Sequence, residues 1–366
     1  MAFIPPSVAS YANCHYWIQE CTMKACKSIA VRENSGHFFT FGSTLMSTIP
    51  IRVGVLGAAR IVPIAISQPA LGRSDIEVRY IAARDHARAK AFAHQHGISI
   101  VESDYGSLVA REDVDLVYIA LPAAFHRHWC EIAAQHGKAV LCEKPFAMSA
   151  SEAVSMVEVA TQAGTPLIEA FHYRFHDAMR SVIEIVSSGR LGPIVEAEAV
   201  FEAHVPRSST ELRWNALLGG GALMDFGCYT VNVLRALFGM PCVLDASSTF
   251  IDGVDAVTEA RLTFPGGIRG RIRCSMVARE LRMSLVVKGE AGQMTVTNFI
   301  LPQRGCRIEL QTEGRTQTTC ITGPTTYEEQ LAHVLDVLRG RTVAITGGRD
   351  AIETMMVIDA IRELAA

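Results

Sequence analysis

The chain has 366 residues, enough for about two domains of ordinary size. Hydrophobic residues make up 49% of it and charged residues 19%, which excludes a chain disordered throughout. With 34 Lys plus Arg against 37 Asp plus Glu and no run of five like charges, neither nucleic acid nor a polybasic membrane contact is expected.

Residues 1–45 show neither strand alternation nor a sustained helical stripe. They lack the apolar core of a signal peptide and the Arg-rich, acid-poor character of a transit peptide. They are expected to be a poorly packed extension ahead of Met46; an extra N-terminal arm is the other reading. From residue 51, apolar runs at 51–56, 78–82, 116–121 and 139–142 alternate with helical patterns at about 60, 87–96 and 125–135. This alternation predicts a doubly wound parallel sheet with helices on both faces. A further helix is expected from Ser149, which has capping-box spacing to Glu152, to Gly164, followed by an apolar segment over 166–171.

After about 171 the character changes. A helix (177–188) and a strand (194–205) precede a long apolar segment, 221–238. Strand-like runs at 243–251, 256–264, 268–277, 282–288 and 293–297 follow, which predicts a largely antiparallel sheet. Helical patterns at 326–339 and 349–364 close the chain. The expected partition is an extension (1–45), a nucleotide-binding domain (46–170) and an α/β domain (171–366). No stretch of about eighteen uninterrupted apolar residues occurs, so no spanning helix is expected. The ten cysteines form no C-x-x-C pair and read as reduced core residues, which suits a cytoplasmic protein, and no Cys/His cluster has metal-ligand spacing.

The first strand ends in Gly57-Ala58-Ala59-Arg60-Ile61 and turns straight into a helix, the context a dinucleotide fingerprint requires. A glycine permits the tight turn, and small residues let backbone amides approach a pyrophosphate at a helix N-terminus. The second and third glycines of G-x-G-x-x-G are replaced by Ala59 and Val62, so an ordinary strand-to-helix turn is the competing reading. The second strand ends in Ala83-Arg84-Asp85, where such a fold reads the adenosine ribose. Arg84 favours a 2′-phosphate and hence NADP; Asp85 keeps NAD open, and both could be solvated loop charges.

Two more constellations fall at strand ends: Leu121-Pro122 with His126, and Glu143-Lys144-Pro145. An ammonium there would face a nicotinamide and could bond a substrate hydroxyl, although a surface lysine in a turn has the same letters. In the second half, GGGALMDFGCY (219–229) continues to Asn232. If helical, it puts Asp225, Tyr229 and Asn232 at i, i+4 and i+7 on one face, or it is a core helix with a locally satisfied tyrosine.

Together with Tyr173-Arg174-Phe175-His176, these segments resemble the Gfo/Idh/MocA oxidoreductases over about residues 50–366. The resemblance implies a Rossmann domain followed by an α/β domain whose open, mostly antiparallel sheet makes a homodimer or homotetramer. It implies that Lys144 is the catalytic lysine, preceding a cis Pro145, that Tyr229 is the acid/base and that Asp225 orients substrate or lysine. Tyr173, Arg174 and Asn232 would belong to the substrate pocket. Many relatives carry histidine at the Tyr229 position and aspartate at that of Asn232, so the tyrosine resembles the glucose-fructose and dihydrodiol branch and disfavours inositol-dehydrogenase chemistry. Asp177 replaces the family's usual proline. The activity implied is NAD(P)-dependent hydride transfer at a hydroxyl or carbonyl carbon of a sugar, polyol or dihydrodiol. The alternative is a non-catalytic NADP-sensing regulator of the same fold.

Overall fold

The computed structural model describes residues 49–208 and 210–366; the expectation for residues 1–45 falls outside the described residues. Six parallel strands, β1 (Ile51–Leu56), β2 (Ile76–Ala82), β3 (Ile100–Val101), β4 (Leu116–Ile119), β5 (Ala139–Cys142) and β6 (Leu167–Glu169), lie in the order β3-β2-β1-β4-β5-β6. Every residue of β4 and β5 is buried, as sheets covered on both faces require. The order reverses between β1 and β4, which opens a crevice beyond their carboxyl ends. β3 has only two residues and no apolar run, so periodicity does not find it.

Helices α1 (His86–His96), α2 (His126–Gln135) and α3 (Ala150–Ala163) connect these strands. α3 starts as expected: Ser149 Oγ accepts the Glu152 amide at 3.3 Å, and Gly164 ends it in a left-handed conformation. The capping box is not reciprocal, because the Glu152 carboxylate takes the amide of Met148 instead, at 3.0 Å.

After α4 (Asp177–Ser187) comes β7 (Ile194–His204), then β8 (Cys242–Ile251), β9 (Val254–Phe264), β10 (Ile268–Ser275), β11 (Val277–Gly289), β12 (Gly292–Thr297), β13 (Cys306–Thr312) and β14 (Arg315–Ile321). They form one sheet in the order β14-β13-β12-β11-β7-β10-β9-β8, antiparallel except where β7 meets β10. The β13–β14 hairpin was not expected. β14 is exposed along almost its whole length and rich in threonine, so it carries no hydrophobic alternation.

One face of the sheet packs on α5 (Cys228–Phe238); the other carries ion pairs such as Arg273–Glu202 and Arg271–Glu259. The segment Ala216–Phe238 is long and apolar enough to cross a membrane, but 72% of its most apolar window is buried inside the protein, as in a core helix. The chain then returns to the first sheet. α6 (Thr326–Leu338) adds Tyr327, Leu331, Val334 and Leu335 to the core that contains Ile81, Leu116 and Tyr118, and α7 (Gly348–Ala365) packs on α3 and β8. Cys130, Cys142, Cys228, Cys274 and Cys306 are buried free thiols, and Cys320 is an exposed one.

Candidate active site

The turn after β1 is built for backbone. Gly57 has φ of 105°, and a Cβ there would lie 2.6 Å from the Ala120 carbonyl oxygen, so only glycine fits. The amides of Ala58, Ala59, Arg60 and Ile61 find no backbone acceptor among the described residues. Four unsatisfied donors in succession at a sheet's switch point suit a pyrophosphate, so the residues present fit a dinucleotide.

At the end of β2, Ala83 is buried and Arg84 is exposed. The Asp85 carboxylate accepts the Arg88 amide at 3.0 Å as the N-cap of α1. The acid is committed to the helix, whereas the Arg84 guanidinium has no ion pair among the described residues. Arg88, which the sequence reading did not single out, reaches back to the Ala58 carbonyl at 2.7 Å.

The two constellations at the β4 and β5 ends turn out to be joined. His126 is buried, with Nε2 2.8 Å from the Leu121 carbonyl and Nδ1 3.0 Å and 3.2 Å from those of Pro145 and Phe146. It lies between the half-buried Leu121-Pro122 turn and the Lys144 turn and links them. The Glu143 carboxylate accepts the Tyr118 hydroxyl at 2.6 Å, and burial holds its pKa above the usual range. The Lys144–Pro145 bond is cis.

Lys144 Nζ donates to the Asp225 carboxylate at 2.7 Å and to the Asp225 carbonyl at 3.1 Å. It also lies 5.0 Å from the centroid of the Tyr229 ring. Burial alone would lower the ammonium's pKa, but Asp225, together with Cys228 and Glu143, outweighs it and the net shift is upward. Asp225 in turn meets Arg213 at 3.8 Å, and Arg213 and Arg60 both pair with Glu211, at 2.9 Å and 3.0 Å.

Asp225 does not sit on a regular helix. A π turn, Leu223–Gly227, precedes α5, and Gly221 (φ 123°) lets Asp255 accept the Leu223 amide at 2.7 Å; a Cβ on Gly221 would overlap the Asp255 carboxylate. The extra residue in the turn alters the expected i, i+4, i+7 stripe. Asp225 and Tyr229 reach Lys144, whereas Asn232 is inaccessible.

Asn232 Oδ1 accepts from the Tyr173 hydroxyl at 2.6 Å and from Arg174 at 3.1 Å, and its amide donates to Asp350 and Thr354, each at 3.2 Å. Tyr173, Arg174 and Asn232 therefore lock α5 to α7 beneath the cleft.

Tyr229 is 5% exposed and ringed by Phe171, Tyr173 and Phe201, with centroids 5.4, 5.8 and 5.7 Å away. Burial, reinforced by the ionisable groups around it, raises its pKa well above that of free tyrosine. Its hydroxyl oxygen lies 3.3 Å from His172 Nε2, and His172 Nδ1 lies 2.8 Å from Thr326 Oγ1. His172 was also missed, although it immediately precedes the Tyr173–His176 run.

Residues 51–171 match the oxidoreductase family with an NAD-binding Rossmann fold, and residues 179–295 match the GFO/IDH/MocA C-terminal domain. A D-xylose 1-dehydrogenase (NADP(+)) of Haloferax volcanii is 33% identical over 316 residues, 85% of this chain and 96% of that protein. The chain belongs to the Gfo/Idh/MocA oxidoreductase family. A trans-1,2-dihydrobenzene-1,2-diol dehydrogenase of Mus musculus is 33% identical over 63% of this chain and 70% of its own length. KijD10, a 3-ketoreductase of Actinomadura kijaniata solved with NADP and TDP-benzene, superposes with a TM-score of 0.81 at 26% identity, covering 86% of this chain and 98% of that one. The sequence-stated family, the fold class and oxidoreductase membership all hold.

Proposed function

We propose that the chain is an NADP-dependent dehydrogenase or reductase that interconverts a hydroxyl and a carbonyl carbon on a sugar, polyol or dihydrodiol. The observation that carries this is the meeting of Lys144, from the end of β5, with Asp225 and Tyr229, from the approach to α5. The names of the Haloferax and mouse relatives, and the ligands of KijD10, support the cofactor and the substrate class. Arg84 would pair with the 2′-phosphate and the 58–61 amides with the pyrophosphate; NAD is the weaker alternative, since Asp85 caps α1.

When bound, the nicotinamide supplies the hydride acceptor for oxidation and the donor for reduction. Tyr229 exchanges the proton. In reduction its protonated phenol donates to the carbonyl oxygen; in oxidation its phenolate, formed after the phenol proton is released to solvent, removes the hydroxyl proton. Lys144, kept charged by Asp225, hydrogen-bonds the reacting oxygen and stabilises negative charge developing on it. The raised pKa keeps the Tyr229 phenol protonated near neutrality, as reduction requires, and oxidation, which requires the phenolate, should accelerate as pH rises.

Residues 46–170 would hold the nucleotide and 171–366 the substrate, with α6 lent back to the first sheet. Copies would pair through the outer face of the eight-stranded sheet as a homodimer or homotetramer, in the cytoplasm. A solution mass equal to the 39.8 kDa monomer would contradict the pairing. The activity test is a panel of sugars, polyols and dihydrodiols followed by NADPH absorbance. Turnover with at least one class is expected; tight NADPH binding with no turnover across the panel would contradict the reading.

A further inference from the structure

We propose that His172 is a positioning residue that donates its Nε2–H to the Tyr229 hydroxyl oxygen, which aims the phenol proton into the cleft and stabilises the phenolate. The inference rests on the acid/base role given to Tyr229. It follows from where each proton can go. Thr326 is fully buried, and its hydroxyl has one partner among the described residues, His172 Nδ1 at 2.8 Å. A buried hydroxyl proton needs an acceptor, so Thr326 donates and Nδ1 accepts. The neutral ring must then carry its proton on Nε2, which faces the Tyr229 oxygen at 3.3 Å.

With one lone pair of the Tyr229 oxygen occupied by that donor, the phenol's own proton has no protein acceptor among the described residues and is free to meet a substrate oxygen. The opposite tautomer would leave the Thr326 proton stranded and turn the phenol proton away from the cleft.

The ring is held for this purpose. Tyr327 of α6 lies against the imidazole, with centroids 4.2 Å apart and planes at 35°. Burial, with the Lys144 ammonium nearby, pushes the His172 pKa down to about 3, so the imidazole stays neutral across any working pH. The other groups facing Tyr229 are Lys144 and Glu143 from the β5 end, Asp225 and Cys228 on its own segment, and Tyr327 and Tyr173. The fixed Thr326–His172 pair gives the hydroxyl a directed donor that titrates with none of them.

Two measurements test this. In protein labelled with 15N-histidine, the ring of His172, assigned by its loss in His172→Phe, should show the Nε2–H tautomer; the Nδ1–H tautomer overturns the proposal. In the pH profile of alcohol oxidation, His172→Phe should move the rising limb upward by about one pH unit, with turnover near neutrality down about tenfold. NADPH affinity should be unchanged. His172→Gln, whose amide N–H reaches the same place, should restore most of the limb, and Thr326→Val should move it in the Phe direction.

If the limb stays put in both His172→Phe and Thr326→Val while Tyr229→Phe abolishes turnover, the positioning role is wrong and the acid/base role stands. Full turnover in Tyr229→Phe would instead remove the acid/base role itself. Should His172→Phe fail to fold, Thr326→Val and the 15N tautomer carry the decision.

Discussion

The two halves of the cleft do their work with different parts of the chain. On the β1 side the groups proposed to hold the nucleotide are backbone amides, and what the sequence supplies is room: Gly57 where a Cβ would strike Ala120, then small residues. On the α5 side the groups proposed to act are side chains, Asp225 and Tyr229, and what the sequence supplies is a distorted helix start that lets both reach Lys144. A backbone site depends on shape and tolerates many side chains. A side-chain site fails atom by atom.

The contrast predicts where mutations hurt. Lys144→Ala or Tyr229→Phe should cut turnover by about a hundredfold or more while NADPH binding, followed by nucleotide fluorescence, stays close to wild type. Gly57→Ala should do the reverse in kind, weakening NADPH about tenfold or more and lowering stability by at least about 1 kcal/mol, because it combines a steric clash with a positive φ. Comparable losses of binding in both sets would erase the distinction. Arg84→Ala should weaken NADPH several-fold more than NADH; equal effects would show that Arg84 does not read the 2′-phosphate.

The smallest effect concerns the ion pairs that bridge the halves. Arg213 and Arg60 hold the Glu211 carboxylate down to about 2, from an ordinary 4.5. A carboxylate with a depressed pKa contributes stability that is fully present above its unfolded value and is lost as pH falls through the folded one. Glu211→Gln should therefore lower stability at pH 7 and flatten the stability loss between about pH 4.5 and 2, the two acid-unfolding curves converging at the acid end. An unaltered acid limb would mean that this bridge is idle.

How much was legible follows the same division. The places of β1, β2, β4 and β5 along the chain and the Gly57 turn could be read because buried parallel strands carry runs of apolar residues and a turn glycine marks itself. Lys144, Asp225 and Tyr229 could be named from the motifs. The direction each polar side chain takes could not be read, since it depends on tertiary partners. His126, Glu143 and Asn232 have ligand-like chemistry, yet they satisfy backbone carbonyls, Tyr118 and Tyr173. The π turn was invisible because periodicity assumes a regular helix. β14 was invisible because an exposed edge strand has no core face to pattern.

The central claim is that Lys144 and Tyr229 serve one reacting oxygen, and a double-mutant cycle tests it most directly. Values of kcat/KM for the wild type, Lys144→Ala, Tyr229→Phe and the double variant should show strong non-additivity, the double variant being about as slow as the slower single one. Losses that multiply would show the two groups acting independently and would contradict the account.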